Sequence, residues 1–177
     1  RYEIGVRKFN TINWIGAFNL YKKETLRFLI VFGQTLFGPI VTSVLFLLVI
    51  SLAIGEERAN VLGVSYIQFL APGLIVMQVI QQSFAHSSSS LIMGKMMGTI
   101  SDIISSPLNS AEVTLAIILA SVTRGIIISA ISILVFYFSI DLRVYSFGIL
   151  FLYLFMGSFL LGSAGFIAGL HLSLIHI

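Results

Sequence analysis

The chain has 177 residues, of which 58 % are hydrophobic and 10 % are charged. Soluble domains are about 45–50 % apolar and about 25 % charged, so ten basic and seven acidic residues cannot cover the surface of a soluble domain of this size. The same composition excludes intrinsic disorder, and the absence of cysteine excludes disulfides, thiolate zinc sites and cysteine nucleophiles.

Both ends of the sequence look artificial, and the last six residues are excluded from the fold prediction. The first residue is Arg1 rather than Met, and we expect a native N-terminus to precede it. The last six residues, 172–177, resemble the translation of a transposase adapter used in sequencing libraries. We expect them to be a read-through artefact, and a genuine apolar tail is the alternative.

Residues 1–27 form an N-terminal segment that is too polar for a signal peptide and ends in an amphipathic stretch. On a helix over 14–27, three aromatic side chains share one face and three basic side chains share another. They are Trp14, Phe18 and Tyr21, and Lys22, Lys23 and Arg27. Aromatic rings beside basic groups suit the headgroup region of a bilayer, so the pattern predicts an interfacial helix.

Four long apolar stretches follow, and they predict an all-α integral membrane protein with a transmembrane domain over 28–171. Each stretch reaches the roughly 20 residues that a membrane-spanning helix needs. Continuous apolar runs favour helices over the alternating strands of a β-barrel. The predicted spans are 28–54, 66–90, 113–138 and 144–170.

The distribution of Lys and Arg predicts the orientation of these spans. Six basic residues precede the first span and Lys95 follows the second, whereas the loops 55–65 and 139–143 carry one each. The six are Arg1, Arg7, Lys8, Lys22, Lys23 and Arg27. Basic residues accumulate on the cytoplasmic side, so we expect a cytoplasmic N-terminus and two external loops.

Residues 91–104 predict a second amphipathic helix, which lies at the cytoplasmic face between spans two and three. Methionine and isoleucine follow the 3.6-residue period on one side, and small or polar residues lie opposite. Ser105, Ser106 and Pro107 then end the helix. Periodicity alone leaves open whether this helix only connects two spans.

Arg124 is the most informative single residue, because it lies near the middle of span three. An arginine at a bilayer centre costs roughly 2.5–3.5 kcal/mol on insertion scales, so it should face protein or water. Gln78, Gln81 and Gln82 form a stripe on span two that could receive it. These four residues predict a polar transport path or a subunit interface. A snorkelling arginine and structural glutamine hydrogen bonds are the alternatives.

Small residues on span four predict close helix packing. Ser158 and Gly162 are four residues apart, as are Gly165 and Gly169, and such spacing lets helix backbones approach closely.

No constellation in the sequence supports enzymatic chemistry. Gly94-Lys95 is the one Gly-Lys pair, and it lacks the preceding glycine of a phosphate-binding loop. His86 has no neighbouring ligand, and neither zinc-protease nor nucleophile-elbow motifs occur. We therefore expect neither an enzyme nor a bound cofactor or metal, and no nucleic-acid partner.

Several motifs together resemble the membrane-spanning permease subunit of type-2 (ABC-2) ATP-binding-cassette exporters. The resemblance runs from about 13 to 169 and each motif alone would be weak. The motifs are Asn13-Trp14, Leu20-Tyr21-Lys22-Lys23-Glu24, Arg27-Phe28, Phe69-Leu70-Ala71-Pro72-Gly73-Leu74, the stretch 88–96, Asp102, Pro107-Leu108 and Thr123-Arg124-Gly125.

The resemblance implies a six-span exporter subunit in the bacterial inner membrane that dimerises and docks two cytoplasmic ATPase subunits, which bind the ATP. Residues 91–104 then form the coupling helix, and 14–27 the connecting helix. The coupling residues are expected to be Met93, Lys95, Met96, Met97, Ile100 and Asp102. With four predicted spans, we expect spans five and six to be missing.

Two other classes stay open from the sequence alone. A secondary transporter usually places acidic residues within its spans, and the predicted spans contain no Asp or Glu. A membrane scaffold without transport activity is not distinguished by any motif. The substrate cannot be inferred from these residues.

Overall fold

The computed structural model describes residues 12–54, 63–140 and 146–171. Its regular elements there are helices: α1 (Trp14–Ile30), α2 (Phe32–Ile54), α3 (Tyr66–Met96), α4 (Ile100–Ser105), α5 (Ser110–Ile140) and α6 (Phe147–His171). The predicted all-α membrane fold is confirmed. Basic residues used for the orientation that lie outside the described residues are Arg1, Arg7, Lys8, Arg58 and Arg143, and 172–177 lie outside them as well.

Three of the described helices are long and apolar enough to cross a membrane: α3 and α5 with 31 residues each, and α6 with 25. The first predicted span corresponds to α2, in which the apolar helical part Phe37–Ala53 is shorter. Both α3 and α5 extend past the predicted boundaries, to Met96 and back to Ser110. Helices of that length reach about 46 Å, so they project beyond a ~30 Å hydrocarbon core.

Side chains at the helix starts satisfy backbone N–H groups that have no partner within the helix. The Asn13 side chain accepts a hydrogen bond from Gly16 N at 3.0 Å and begins α1. Ser65 accepts one from Gln68 N at 3.4 Å at the start of α3. Polar residues ahead of apolar runs therefore set where these helices begin.

Helices α3, α5 and α6 form the packed centre of the described structure, and small residues line their contacts. A Cβ atom added at Gly165 would collide with the Phe84 carbonyl oxygen, and one at Gly125 would lie 2.6 Å from the Ser158 hydroxyl. Ser158 and Gly162 are buried as well. The predicted close packing of span four is confirmed.

Helix α1 packs along the first half of α5 rather than standing apart from the bundle. Tyr21 Oη and Thr123 Oγ1 are 2.9 Å apart, and Leu20 and Phe28 are buried. The rest of α1 is exposed and largely apolar: Ile15 is 78 % exposed, and Trp14, 74 % exposed, borders a groove between α1 and α5. A turn at Val31 separates α1 from α2.

The prediction of one continuous helix over 91–104 is wrong. Residues 91–96 are the last turns of α3, a turn covers 97–99, and the six residues of α4 follow. Gly98 has a φ of +71°, a left-handed conformation that glycine adopts without a steric penalty and that ends a right-handed helix. The apolar periodicity continued through a glycine that breaks the helix.

Candidate intramembrane polar site

Arg124 lies on α5 where α1 and α3 converge. Its Nη2 donates to Gln82 Oε1 at 2.5 Å, and its Nη1 lies 3.4 Å from His86 Nδ1. The guanidinium carbon is 5.4 Å from the centroid of the Phe28 ring, within the range of a cation–π contact. The structure thus places Arg124 against protein groups from two other helices.

The three glutamines of the stripe on α3 lie in three different environments. Gln82 contacts Arg124, whereas the buried Gln78 joins α3 to α2 and α5. Its Nε2 donates to the Pro39 carbonyl oxygen at 2.8 Å and to the Ser43 hydroxyl, and its Oε1 accepts from Ser132 Oγ at 2.7 Å.

Gln81 is exposed and lines a groove between α2 and α3. The groove has a volume of about 410 Å³, and Gln78 and Gln82 also border it. Thr42 and Ser43 contribute hydroxyl groups, and the remaining lining is apolar. Amides, hydroxyls and apolar side chains thus share one groove, which can hydrogen-bond a polar group and hold an apolar one.

A second polar group, which sequence reasoning missed, extends the Arg124 site toward α1. Glu24 is only 4 % exposed, and its Oε2 accepts a hydrogen bond from Ser90 Oγ at 2.7 Å. Arg27 Nη2 lies 3.1 Å from the same oxygen. His86, 1 % exposed, lies between the two parts and meets the Phe28 ring edge-on at 6.5 Å. We call these residues the polar cluster: Glu24, Arg27, Gln82, His86, Ser90 and Arg124.

The polar cluster holds one carboxylate and two guanidinium groups in a half-buried to buried setting. Removing charges from water is expensive unless opposite charges and hydrogen bonds compensate. Glu24 has a cationic partner and a hydroxyl donor, and Arg124 has an amide oxygen and an aromatic face. The cluster can therefore hold α1 to α3 and α5 through charged contacts.

Arg124 lies at the middle of α5. It follows Ser110 by fourteen residues and precedes Ile140 by sixteen, or about 21 Å and 24 Å of helix. The depth of Arg124 in the bilayer stays a prediction.

The residues expected to couple to an ATPase fall into two groups. Met93, Met96 and Met97, the methionine patch, are 48, 62 and 70 % exposed at the end of α3, and Asp102 on α4 is also exposed. Such flexible apolar side chains suit a docking surface. No observation tests their coupling role, which stays a prediction.

The other two expected coupling residues face the protein. Lys95 Nζ donates to the carbonyl oxygens of Gly169 and Leu170, each at 2.8 Å, at the end of α6. A cation at this end of a helix is electrostatically favourable. Ile100 is half-buried, and its Cγ1 would lie 3.1 Å from a Cβ at Gly94. The contacts of Lys95 and Ile100 thus stabilise the end of α3 that carries the methionine patch.

Comparison with known proteins identifies a family and several relatives. Residues 17–176 match the family described as ABC-2 type transporter. Proteins named inner membrane transport permease YadH, from Escherichia coli K12, Escherichia coli O157:H7 and Shigella flexneri, are each 27 % identical over 156 residues.

The alignment covers 88 % of this chain and 61 % of each relative, so the chain spans about three fifths of their length. No solved structure matches it significantly. Because the family match covers nearly the whole sequence and agrees with the resemblance in its motifs, the chain belongs to the ABC-2 type transporter family.

Proposed function

We propose that the chain is the N-terminal part of the permease subunit of an ATP-binding-cassette exporter in a bacterial inner membrane. The subunit forms the translocation path and pairs with a second permease copy. A separate cytoplasmic ATPase binds and hydrolyses ATP, and the permease has no enzymatic activity of its own. The family match is the observation that carries the proposal, and the permease name of the relatives supports it.

The groove between α2 and α3 supports a role in translocation. In this groove the glutamines of α3 lie beside the hydroxyl groups of Thr42 and Ser43 on α2. A solute leaving the cell would find both hydrogen-bonding and apolar contacts there. We therefore assign Gln78, Gln81 and Gln82 to the lining of the path, with Arg124 at its inner end.

The methionine patch supports docking of the ATPase. It lies at the end of α3 and in the turn that leads to α4, and its apolar side chains are exposed. In the full-length subunit, Met97→Asp should lower permease-stimulated ATP hydrolysis about tenfold, since a charge in an apolar contact must be desolvated. Met97→Leu, which keeps an apolar side chain, should retain stimulation.

Co-purification of the ATPase with the full-length subunit measures this docking directly. The parental subunit and Met97→Leu should retain the ATPase, and Met97→Asp should lose it at an equal inserted amount. Full stimulation by Met97→Asp would contradict the docking assignment.

Orientation can be tested separately because the chain contains no cysteine. Ser101 is exposed on α4, so Ser101→Cys provides an accessible thiol, and any cysteine in the rest of the full-length subunit is replaced by serine. In intact cells an impermeant maleimide should leave it unmodified, and permeabilised cells should show full labelling. Strong labelling in intact cells would overturn the cytoplasmic assignment of α4 and the N-terminus.

A further inference from the structure

One carboxylate joins the starts of two helices. Glu112 lies in the first turn of α5 and is 7 % exposed. Its Oε2 accepts the backbone N–H of Asn109 at 2.7 Å, the reciprocal half of a capping box. Its Oε1 accepts the backbone N–H of Asn13, which begins α1, also at 2.7 Å.

The segment between α4 and α5 rests on the same point. Asn13 Nδ2 lies 3.4 Å from the Pro107 carbonyl oxygen. Gly16 faces Leu108 so closely that a Cβ at Gly16 would be 2.7 Å from Leu108 Cδ2. Residues 106–109 therefore touch α1 through both polar and apolar contacts.

We propose that Glu112 is a positioning residue that makes the start of α1, residues 106–109 and the start of α5 move as one unit. Displacement of α4 by the ATPase then reaches α1, and from α1 the polar cluster at Arg124. The inference rests on the proposed function for its input, while the joint itself is defined by the contacts of Glu112, Asn13 and Gly16 described above.

The physical basis is the strength of a buried, charge-assisted contact. A hydrogen bond from a backbone N–H to a largely buried carboxylate is stronger than a neutral hydrogen bond. The Asn13 and Asn109 N–H groups that donate to Glu112 lie at helix starts, where the helix dipole also favours a negative charge. Glu112→Gln keeps the shape, but its amide nitrogen would face one of these N–H groups, donor against donor.

A reversible cross-link tests whether the joint moves as a unit. Gly16→Cys with Leu108→Cys, in a full-length permease whose cysteines outside these 177 residues are replaced by serine, places two thiols across the contact in the presence of the ATPase. Leu108→Cys removes the side chain that lies 2.7 Å from a Cβ at position 16, and the end of the Asn13 side chain, at 2.8 Å, has to shift. We expect a short, reducible bifunctional reagent to join them while ATP-driven transport in proteoliposomes persists. Loss of transport on cross-linking, with recovery on reduction, would show relative movement and overturn the proposal, as would failure to cross-link.

The Gln variant provides a second measurement. Glu112→Gln should lower transport per ATP hydrolysed about tenfold, the effect expected from losing one charge-assisted hydrogen bond, at an unchanged inserted amount. Ser110→Ala, an exposed position one residue into the same turn, is the matched control and should behave like the parent. An unchanged ratio, or a loss of transport fully explained by lower insertion, would contradict the positioning role.

Failure of the proposed function is distinguishable from failure of this inference. Cross-linking of positions 16 and 108 needs no ATPase and no substrate, and Glu112→Gln should slow it severalfold in the permease alone. A parental complex without ATP-dependent transport would refute the exporter assignment. The rate of cross-linking between positions 16 and 108 would then still test the joint. An unchanged cross-linking rate would refute the joint.

Discussion

Helices α6 and α1 attach to the same pair of helices, α3 and α5, by different kinds of contact. Glycines of α6 bring backbones together, as at Gly165 against the Phe84 carbonyl. Helix α1 is held by hydrogen bonds between side chains, such as Tyr21 with Thr123 and Ser90 with Glu24. One attachment depends on shape and the other on polar partners.

The difference indicates which parts of the molecule can move. In lipid there is little hydrophobic drive between helices, so close packing of small residues is what holds them together. That packing is lost when the backbones separate slightly, because dispersion falls steeply with distance. Hydrogen bonds between side chains can exchange partners more readily. We therefore expect α3, α5 and α6 to stay together, with the start of α1 held to α5 at Glu112, while the far end of α1 and α2 shift.

The largest expected effect comes from a substitution that disrupts the close packing of α6 against α3. Gly165→Leu should destabilise the full-length subunit by about 3 kcal/mol or more, because its side chain meets backbone of α3 that cannot turn aside. Gly157→Leu on the same helix is the control, since nothing lies within 4 Å of its Cβ position. Thermal unfolding in detergent followed by size-exclusion chromatography measures both. Equal melting temperatures would contradict the packing argument.

The next largest effect is expected from substitutions in the polar cluster that holds α1 to α3 and α5. Arg124→Leu should insert at least as well as the parent, because Leu is favourable in hydrocarbon, yet lower transport about tenfold through loss of the contact with Gln82. Arg124→Lys should recover only part, since Lys lacks the planar set of donors. The measurement is transport rate per inserted subunit. Parental rates in both variants would identify Arg124 as a snorkelling residue without a role in transport.

The smallest expected effect concerns the hydrogen bonds that join α3 to α2 and α5. Gln78→Leu removes the hydrogen bonds to Pro39, Ser43 and Ser132 and should destabilise the subunit by ~1 kcal/mol, since serine hydroxyls can turn to backbone carbonyls of their own helix. The exposed Gln81→Leu should leave the melting temperature unchanged. A larger loss at position 81 than at 78 would reverse the roles assigned to these two glutamines.

The sequence predicted the helices and the packing of α6, because both depend on residues close to each other in the chain. The apolar runs identified the helices, and the spacing of Ser158, Gly162, Gly165 and Gly169 predicted the packing of α6, because four-residue spacing puts side chains on one helix face. The break at Gly98 was also accessible, since a glycine inside an amphipathic period is a signal for a helix end.

The polar contacts of α1 could not be found in the same way. Glu24 bonds Ser90 across 66 residues and Glu112 bonds Asn13 across 99, so no spacing along the chain identifies either pair. Glu24 also lies among basic residues that predict a solvated face, and His86 has no nearby ligand in sequence. Burial of these groups follows from how the helices pack, which composition and periodicity do not specify.

The exposed position of Trp14 makes α1 accessible to an optical measurement. One of these 177 residues is tryptophan, and its side chain, 74 % exposed, borders a groove between α1 and α5. Once tryptophans elsewhere in the full-length subunit and in the ATPase are replaced by phenylalanine, excitation at the red edge of indole absorption reports from this helix alone. Emission wavelength and collisional quenching by lipid-borne or aqueous reagents would follow the environment of α1 during an ATP cycle, without an added label.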